Sequence, residues 1–307
     1  MKQGKVLAIC CRVENHSDFL AIAKRIIKKT PEIAVVIKPV IYSPDELDPA
    51  LKYFPLLNIY LVNPPEKLPV RGKTLYVEAI DKFEQYQHFT LANVSAPKTI
   101  EYELGQPINK NDWGEHVFIK PRKGSFSENS FLIPTKYILD IKPHFEEVAK
   151  KEKFILQQFI NTGVYATSYR VLNFLGATLS FVSLTCPKPV YLPNNLDEAF
   201  NNSTVQTNLE NANAIRKFEN NDEILDFSKK IFNVFNEKPI QGIDIIIEEK
   251  TKKLFVLEAN LGGNSWGFTK KDWGSYKQLG RPALLQQFNA FDVAADVLIK
   301  KTKELSL

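Results

Sequence analysis

The sequence predicts an α/β (α+β) chain: a small α/β unit first, then mixed units built on antiparallel strands. Residues 6–11 (VLAICC) form a buried-strand run, 19–29 repeat apolar residues at helical spacing, and 33–41 return as a second β-rich run. That is a βαβ opening. From residue 115 onward, strand-like runs follow one another across tight turns, which is the signature of antiparallel pairing.

The elements follow in chain order. His16, Ser17 and Asp18 are candidate N-caps for a helix that repeats apolar residues at helical spacing, Phe19, Ile22, Ala23, Ile26 and Ile27. Seven prolines between residues 39 and 69 predict loops and short elements, with a strand at 56–62. Residues 74–78 read as the strand closing this unit, and 81–93 as a helix. Residues 97–100 are extended, 115–121 (EHVFIKP) form a strand ending in Lys-Pro, and 125–133 a strand after a polar turn. Runs at 155–160, 169–174 and 179–184 are successive strands, the last two joined by a hairpin turn at Leu175-Gly176-Ala177. The Asn-rich stretch 194–213 reads as loop, 221–235 as an amphipathic helix, 240–249 and 253–259 as a hairpin, and 282–303 as a C-terminal helix. No internal repeat is visible.

Composition excludes several classes. The chain has 307 residues, 44% hydrophobic and 24% charged, as a soluble globular protein does. Its formal net charge of +5 is mild and its basic runs are pairs, so nothing points to nucleic acid. No stretch approaches the length of a membrane helix, and the N-terminal apolar run is too short for a signal segment. The three cysteines, Cys10, Cys11 and Cys186, have no metal-site spacing. So sparse and odd a set suggests a reducing compartment, and the expected location is the cytoplasm. Glycine is scarce, 13 residues, yet six of them (Gly242, Gly262, Gly263, Gly267, Gly274, Gly280) fall near the C-terminus.

The strongest chemical signal is QGIDIIIEEKTKKLFVLEANLGGNSWG, residues 241–267. Asp244 lies on the first strand of a hairpin, with Glu258 and Asn260 two residues apart on one face of the second. Two carboxylates and an amide oxygen at a strand end make a hard-oxygen site suited to Mg²⁺; a polar hairpin end is the plainer alternative. Lys120, in an apolar strand beside a proline, can place a point charge on phosphate, or it can snorkel to solvent. The turn after it, residues 122–127, can lay backbone N–H groups over phosphates. The four histidines are scattered, and no Ser/His/Asp or Cys/His arrangement stands out. Trp266 is either a pocket wall or a core anchor, and Gly262-Gly263 either present N–H groups to a substrate or simply turn the chain.

Taken in order, Lys82 in DKFEQYQ, ANVSAPKT, VFIKP, ILQQFI, YRVLNFLGATLSFVSL, GIDIII and VLEAN resemble the ATP-grasp superfamily. Its members include peptide glutamate ligases, glutathione synthetase, D-alanine–D-alanine ligase and biotin carboxylase. The resemblance spans roughly residues 76–300. It implies an ATP-grasp fold: a pre-ATP-grasp α/β domain at 1–80, a central lid subdomain at 81–154 and a C-terminal subdomain at 155–307. ATP is then expected between antiparallel sheets. Lys82 and Lys120 match the two phosphate-contacting lysines; Gln157, Gln158, Phe159 and Ile160 match the adenine-contacting hinge. Asp244, Glu258 and Asn260 match the Mg²⁺ ligands, a role Mn²⁺ can share, and Arg170 the arginine near the transferring phosphate. Gly262, Gly263, Asn264 and Trp266 fall where the acceptor substrate lies in these ligases.

The chain departs from the pattern at four places. It has Gln157-Gln158 where a Glu is frequent, Ser168 where many members are acidic, Leu184-Thr185 in place of a basic strand end (whether Lys188 substitutes is left open by the sequence), and one glycine, Gly124, in the phosphate loop. The implied activity is an ATP- and Mg²⁺-dependent ligase: a carboxylate becomes an acyl phosphate and is joined to an amine or thiol, with release of ADP and phosphate. Its expected partners are small-molecule or peptide substrates, with no nucleic acid or membrane, and a homodimer is compatible with the resemblance. A small-molecule kinase and a nucleotide-binding module without turnover remain the alternatives.

Overall fold

Strand β1 (Lys5–Arg12) is central to the first sheet, because VLAICC leaves no room for solvent on either face. The computed structural model describes residues 5–40, 57–64, 66, 72–123, 130–202, 213–271 and 274–305. Strands β2 (Ile33–Val40), β3 (Leu57–Tyr60) and β4 (Lys73–Tyr76) complete the sheet in the order β2-β1-β3-β4, every pair parallel. Helix α1 (His16–Lys29) buries Phe19, Ile22 and Ile26 against it, as the helical spacing of those residues requires. Most of the proline-rich stretch lies outside the described residues.

A second sheet has the order β5-β8-β6-β7, from β5 (Thr99–Tyr102), β6 (His116–Pro121), β7 (Phe131–Pro134) and β8 (Phe154–Gln158). All its pairs are antiparallel. Helix α2 (Lys82–Leu91) precedes it, started by Asp81, whose carboxylate accepts from Phe83 N at 2.8 Å and Glu84 N at 3.3 Å. Two short helices, α3 (Lys110–Trp113) and α4 (Lys142–Ala149), put Trp113 and Phe145 into this sheet's core.

The third sheet runs β11-β10-β9-β12-β13. It is made of β9 (Tyr165–Phe174), β10 (Ala177–Pro189), β11 (Ile215–Phe218), β12 (Ile240–Ile247) and β13 (Leu254–Asn260). The hairpin between β9 and β10 turns at Leu175 and Gly176, φ 50° and 90°, the left-handed pair that a two-residue turn needs. Helix α6 (Asp222–Val234) lays Ile224, Ile231 and Phe232 on this sheet, and Tyr86 and Phe89 of α2 join the same core.

Two sequence expectations are corrected. The Asn-rich stretch is not all loop: helix α5 (Leu196–Asn202) forms because Ala199 and Phe200 pack into the second sheet's core, where Phe200 meets Phe131 at 5.0 Å between ring centroids. Residues 203–212 of that stretch lie outside the described residues. The C-terminal helix is also not continuous. After α7 (Gly274–Leu279) come α8 (Arg281–Gln286) and α9 (Ala290–Leu305), broken at Asn289, whose φ of 54° cannot continue a helix. The break lets α9 return to the first sheet and lie beside α1. There Arg25 reaches Asp292 at 3.2 Å and Lys29 reaches Asp296 at 2.7 Å, exposed pairs worth well under 1 kcal/mol each. No described helix is long and apolar enough to cross a membrane.

Candidate active site

A row of charge crosses three strands of the third sheet. The register sets Arg170 of β9 opposite Asp244 of β12, and Asp244 opposite Glu258 of β13. Cross-strand neighbours share a face, so the three side chains meet. Arg170 donates from Nε to Asp244 Oδ1 at 2.7 Å and from Nη2 to Oδ2 at 2.8 Å. Asn260, two residues past Glu258, donates from Nδ2 to Asp244 Oδ2 at 3.1 Å and to Glu258 Oε1 at 3.2 Å. A register shift between Asp244 and Ile245 places Leu257 as the extra residue of β13. Its carbonyl is thereby available to Tyr86, whose hydroxyl donates to it at 2.9 Å.

Lysines approach from the second sheet. Lys120, on β6, donates from Nζ to Gln157 Oε1 on β8 at 2.7 Å. Gln157 Nε2 in turn donates to the Tyr86 hydroxyl. The Lys120 ammonium is pushed down to about 8, first by burial; Glu258 opposes the shift and Lys82 adds to it. Lys82 sits at the first turn of α2, and its N–H donates to Arg122 O at 3.3 Å. Arg122 is held by Asp81, Nε to Oδ1 at 3.1 Å and to Oδ2 at 3.0 Å, and by Glu101. This places the start of α2 beside the end of β6.

Two of the residues expected at the hinge make hydrogen bonds within and beside the second sheet. The Gln157 side chain is spent on Lys120 and Tyr86, so it positions the lysine. Gln158 N–H donates to Lys98 O at 2.8 Å and is committed there. Phe159 packs against Phe118 at 5.8 Å between ring centroids, and Ile160 is buried beside Ile246 and Phe255. The phosphate-loop residues Gly124, Ser125, Phe126 and Ser127 lie outside the described residues.

The loop after Asn260 docks on the first sheet. Trp266 is fully buried among Phe19, Phe174 and Phe268, so of its two readings the core anchor is the one its packing fits. Its Nε1 donates to Asp18 Oδ2 at 2.9 Å, and Arg281 Nη2 donates to Asp18 Oδ1 at 2.5 Å. Gly263 is buried with no space for a side chain: a Cβ there would stand 1.8 Å from Leu61 O. Thr269 Oγ1 donates to Asn15 Oδ1 at 2.5 Å, and Lys270 Nζ donates to Asn264 O at 2.6 Å.

Asp244 and Glu258 offer hard oxygens that fit Mg²⁺, and Asn260, whose Nδ2 faces both carboxylates here, would add its amide oxygen with the amide turned over. Because Asp244 also carries the Arg170 fork, a cation there shares that carboxylate with a guanidinium. Among the described residues no group of three or more His, Cys, Asp or Glu side chains gathers; this site is two carboxylates and an amide. A surface cleft lined by Asn93, Phe227, Lys230 and Leu254 shares no residue with it. Sequence reading missed the roles of Tyr86 and Asp18. Tyr86 lies on a helix face with no local mark of function and acts across 171 residues of chain, and Asp18 acts across 248 and 263.

Comparison with solved structures shows the fold. D-cycloserine synthetase superposes with a TM-score of 0.57 over 97% of this chain and 99% of that one, at 11% identity. The macrocyclase bound with its precursor peptide, from Microcystis aeruginosa MRC, gives 0.56 over 96% and 100%, at 10% identity. A RiPP-associated ATP-grasp ligase from Chryseobacterium gregarium, in complex with ADP and a leader and core peptide, gives 0.56 over 97% of each chain, at 12% identity.

The chain has the ATP-grasp fold. No protein-family model matches its sequence, and no curated protein does. Lys120 lies on the second sheet and Glu258 on the third, and Gln157 and Tyr86 link Lys120 to Leu257, the neighbour of Glu258.

Proposed function

We propose that this ATP-grasp chain is an ATP- and Mg²⁺-dependent ligase that activates a carboxylate and joins it to an amine. The observation that carries the reading is the Arg170–Asp244–Glu258 row together with the hydrogen-bonded path that leads from Leu257, beside Glu258, through Tyr86 and Gln157 to Lys120. Two lysines beside two carboxylates and an amide are what a triphosphate and its cation require. The three sheets support three units, near 1–80, 81–154 and 155–307. The cut at 154 falls at the start of β8, whose strand belongs to the second sheet.

In this reading Lys120 and Lys82 hold the phosphate oxygens and neutralise charge as it develops. Gln157 aims Lys120, and Tyr86 aims Gln157. Asp244, Glu258 and Asn260 hold Mg²⁺, which supplies further charge neutralisation on the phosphates. The substrate carboxylate oxygen attacks the γ-phosphorus, the bond to the ADP oxygen breaks, and ADP leaves. Arg170, aimed by Asp244, stabilises the acyl phosphate. The amine nitrogen then attacks the acyl carbon, phosphate departs with the bonding pair, and the amine proton passes to solvent or phosphate. No protein nucleophile takes part.

Peptide substrates are a reasonable class, because two structural neighbours are held with peptides. The free, buried cysteines suit a reducing compartment such as the cytoplasm. The test is product analysis with Mg·ATP and a panel of amino acids and peptides. Release of ADP and phosphate only when carboxylate and amine are both present supports the ligase. AMP release sinks it, and a stable phosphorylated product replaces it with a kinase. Glu258→Gln should abolish turnover; unchanged turnover counts against the metal assignment.

A further inference from the structure

Glu258 and Asn260 lie on one face of β13, and the residue between them, Ala259, points into the core on the other. Among the described residues β13 is the edge of the third sheet, so one side of its backbone has no strand beside it. Helix α2 and the turn after it fill that side. Val256 N–H donates to Ser95 O at 2.9 Å, Leu257 O accepts from the Tyr86 hydroxyl at 2.9 Å, and Ala259 N–H donates to Gln85 Oε1 at 2.9 Å. Three groups from one short stretch of chain thus stand in for a neighbouring strand.

Gln85 holds the place nearest the expected cation ligands, because its partner N–H belongs to the residue between them. Its Nε2 donates to Ile80 O at 3.0 Å, just before Asp81 caps α2. Turning this amide over would set donor against donor and acceptor against acceptor, so the two bonds fix its orientation. The side chain is 7% exposed, and a buried N–H needs a partner from the protein. The start of α2 has an anchor of its own, since Arg122 holds Asp81 from the end of β6. Removing the Gln85 amide therefore frees β13 at Ala259 and leaves Lys82 held.

We propose that Gln85 is a positioning residue for the cation: it fixes the backbone between Glu258 and Asn260, and with it the spacing of their side chains. This rests on the metal assignment within the ligase reading. Gln85 acts through β13, so its loss loosens the site rather than removing a ligand. A loosened site penalises Mg²⁺, which demands near-ideal octahedral geometry, more than Ca²⁺, which tolerates irregular coordination.

The experiment is calorimetric titration of the full chain with ADP, in EDTA, in Mg²⁺ and in Ca²⁺. Gln85→Met keeps the length of the side chain and removes the acceptor. It should weaken ADP binding about tenfold or more in Mg²⁺, as the loss of a group that orients a metal ligand does. The loss should be about threefold or less in Ca²⁺ and about twofold or less in EDTA, because Lys82 and Lys120 keep their places. Equal losses in all three media, or no loss in Mg²⁺, overturn the proposal. Circular dichroism of each variant confirms folding. Gln85→Asn, which keeps the amide but falls a methylene short of Ala259, is read in the same way if Gln85→Met does not fold. A wild-type affinity for ADP that is the same in EDTA and in Mg²⁺ sinks the metal assignment and this proposal together. The expected losses without ligation of any amine sink the ligase reading and leave this one standing.

Discussion

Arg170 grips Asp244 through two parallel hydrogen bonds, Nε–Oδ1 at 2.7 Å and Nη2–Oδ2 at 2.8 Å, from the neighbouring strand. Both side chains are mostly shielded, 31% and 10% exposed, so the fork is more than a surface pair. It aims the guanidinium and at the same time places a positive charge on a candidate metal ligand.

Arg170→Met should therefore have two effects. ADP release should fall about 100-fold, the size expected for losing one charge-stabilising group. The protein should also lose about 1–3 kcal/mol in urea unfolding, because Asp244 keeps its burial without its partner. Arg170→Lys should not restore the rate, since an ammonium cannot make the fork. Full rescue by lysine would show that only charge matters here.

Lys120 predicts a pH profile. Its ammonium is charged below about 8 in the free protein, and ATP prefers the charged form. So kcat/KM for ATP should fall as pH rises through 8, with a limiting slope of one decade per unit. Lys120→Arg stays charged throughout and should flatten that limb, whatever its absolute rate. A wild-type profile that is flat to pH 9.5 would exclude the depressed lysine.

Asp18 is fully buried and serves two donors, the Trp266 indole and the Arg281 guanidinium. Asp18→Ala removes the acceptor from both. We expect a loss of about 2–4 kcal/mol, seen as a lower urea midpoint with an unchanged slope. A loss under 0.5 kcal/mol would mean that the loop is held by its aromatic contacts alone.

Gly263→Ala tests the close approach of the loop to Leu61. A methyl group 1.8 Å from a carbonyl oxygen cannot be accommodated without moving backbone. The expected destabilisation is about 1–3 kcal/mol, read as a lower Tm. An unchanged Tm would show that the loop does not dock as described.

How far the sequence could be read depended on the range of the interaction. The hairpin of β12 and β13 was legible, because alternation places Glu258 and Asn260 on one face and the turn brings Asp244 opposite. The β9–β10 turn was legible from Leu-Gly alone. Helix α5 was not, because Asn-rich composition favours loops and the packing of Ala199 and Phe200 against the second sheet overrides it. The break at Asn289 was missed because periodicity continues across it.

Local pattern, then, was sufficient for the fold class and for the three residues of the carboxylate cluster, since strand period and turn length act within a few residues. The path from Lys120 through Gln157 and Tyr86 to Leu257, the burial of Trp266 on Asp18, and the tie of Thr269 to Asn15 all required the folded chain. Their charges and hydrogen bonds join residues up to 263 positions apart, as Arg281 and Asp18 are. Nothing in their immediate neighbours records that distance; the way the sheets pack against one another sets it.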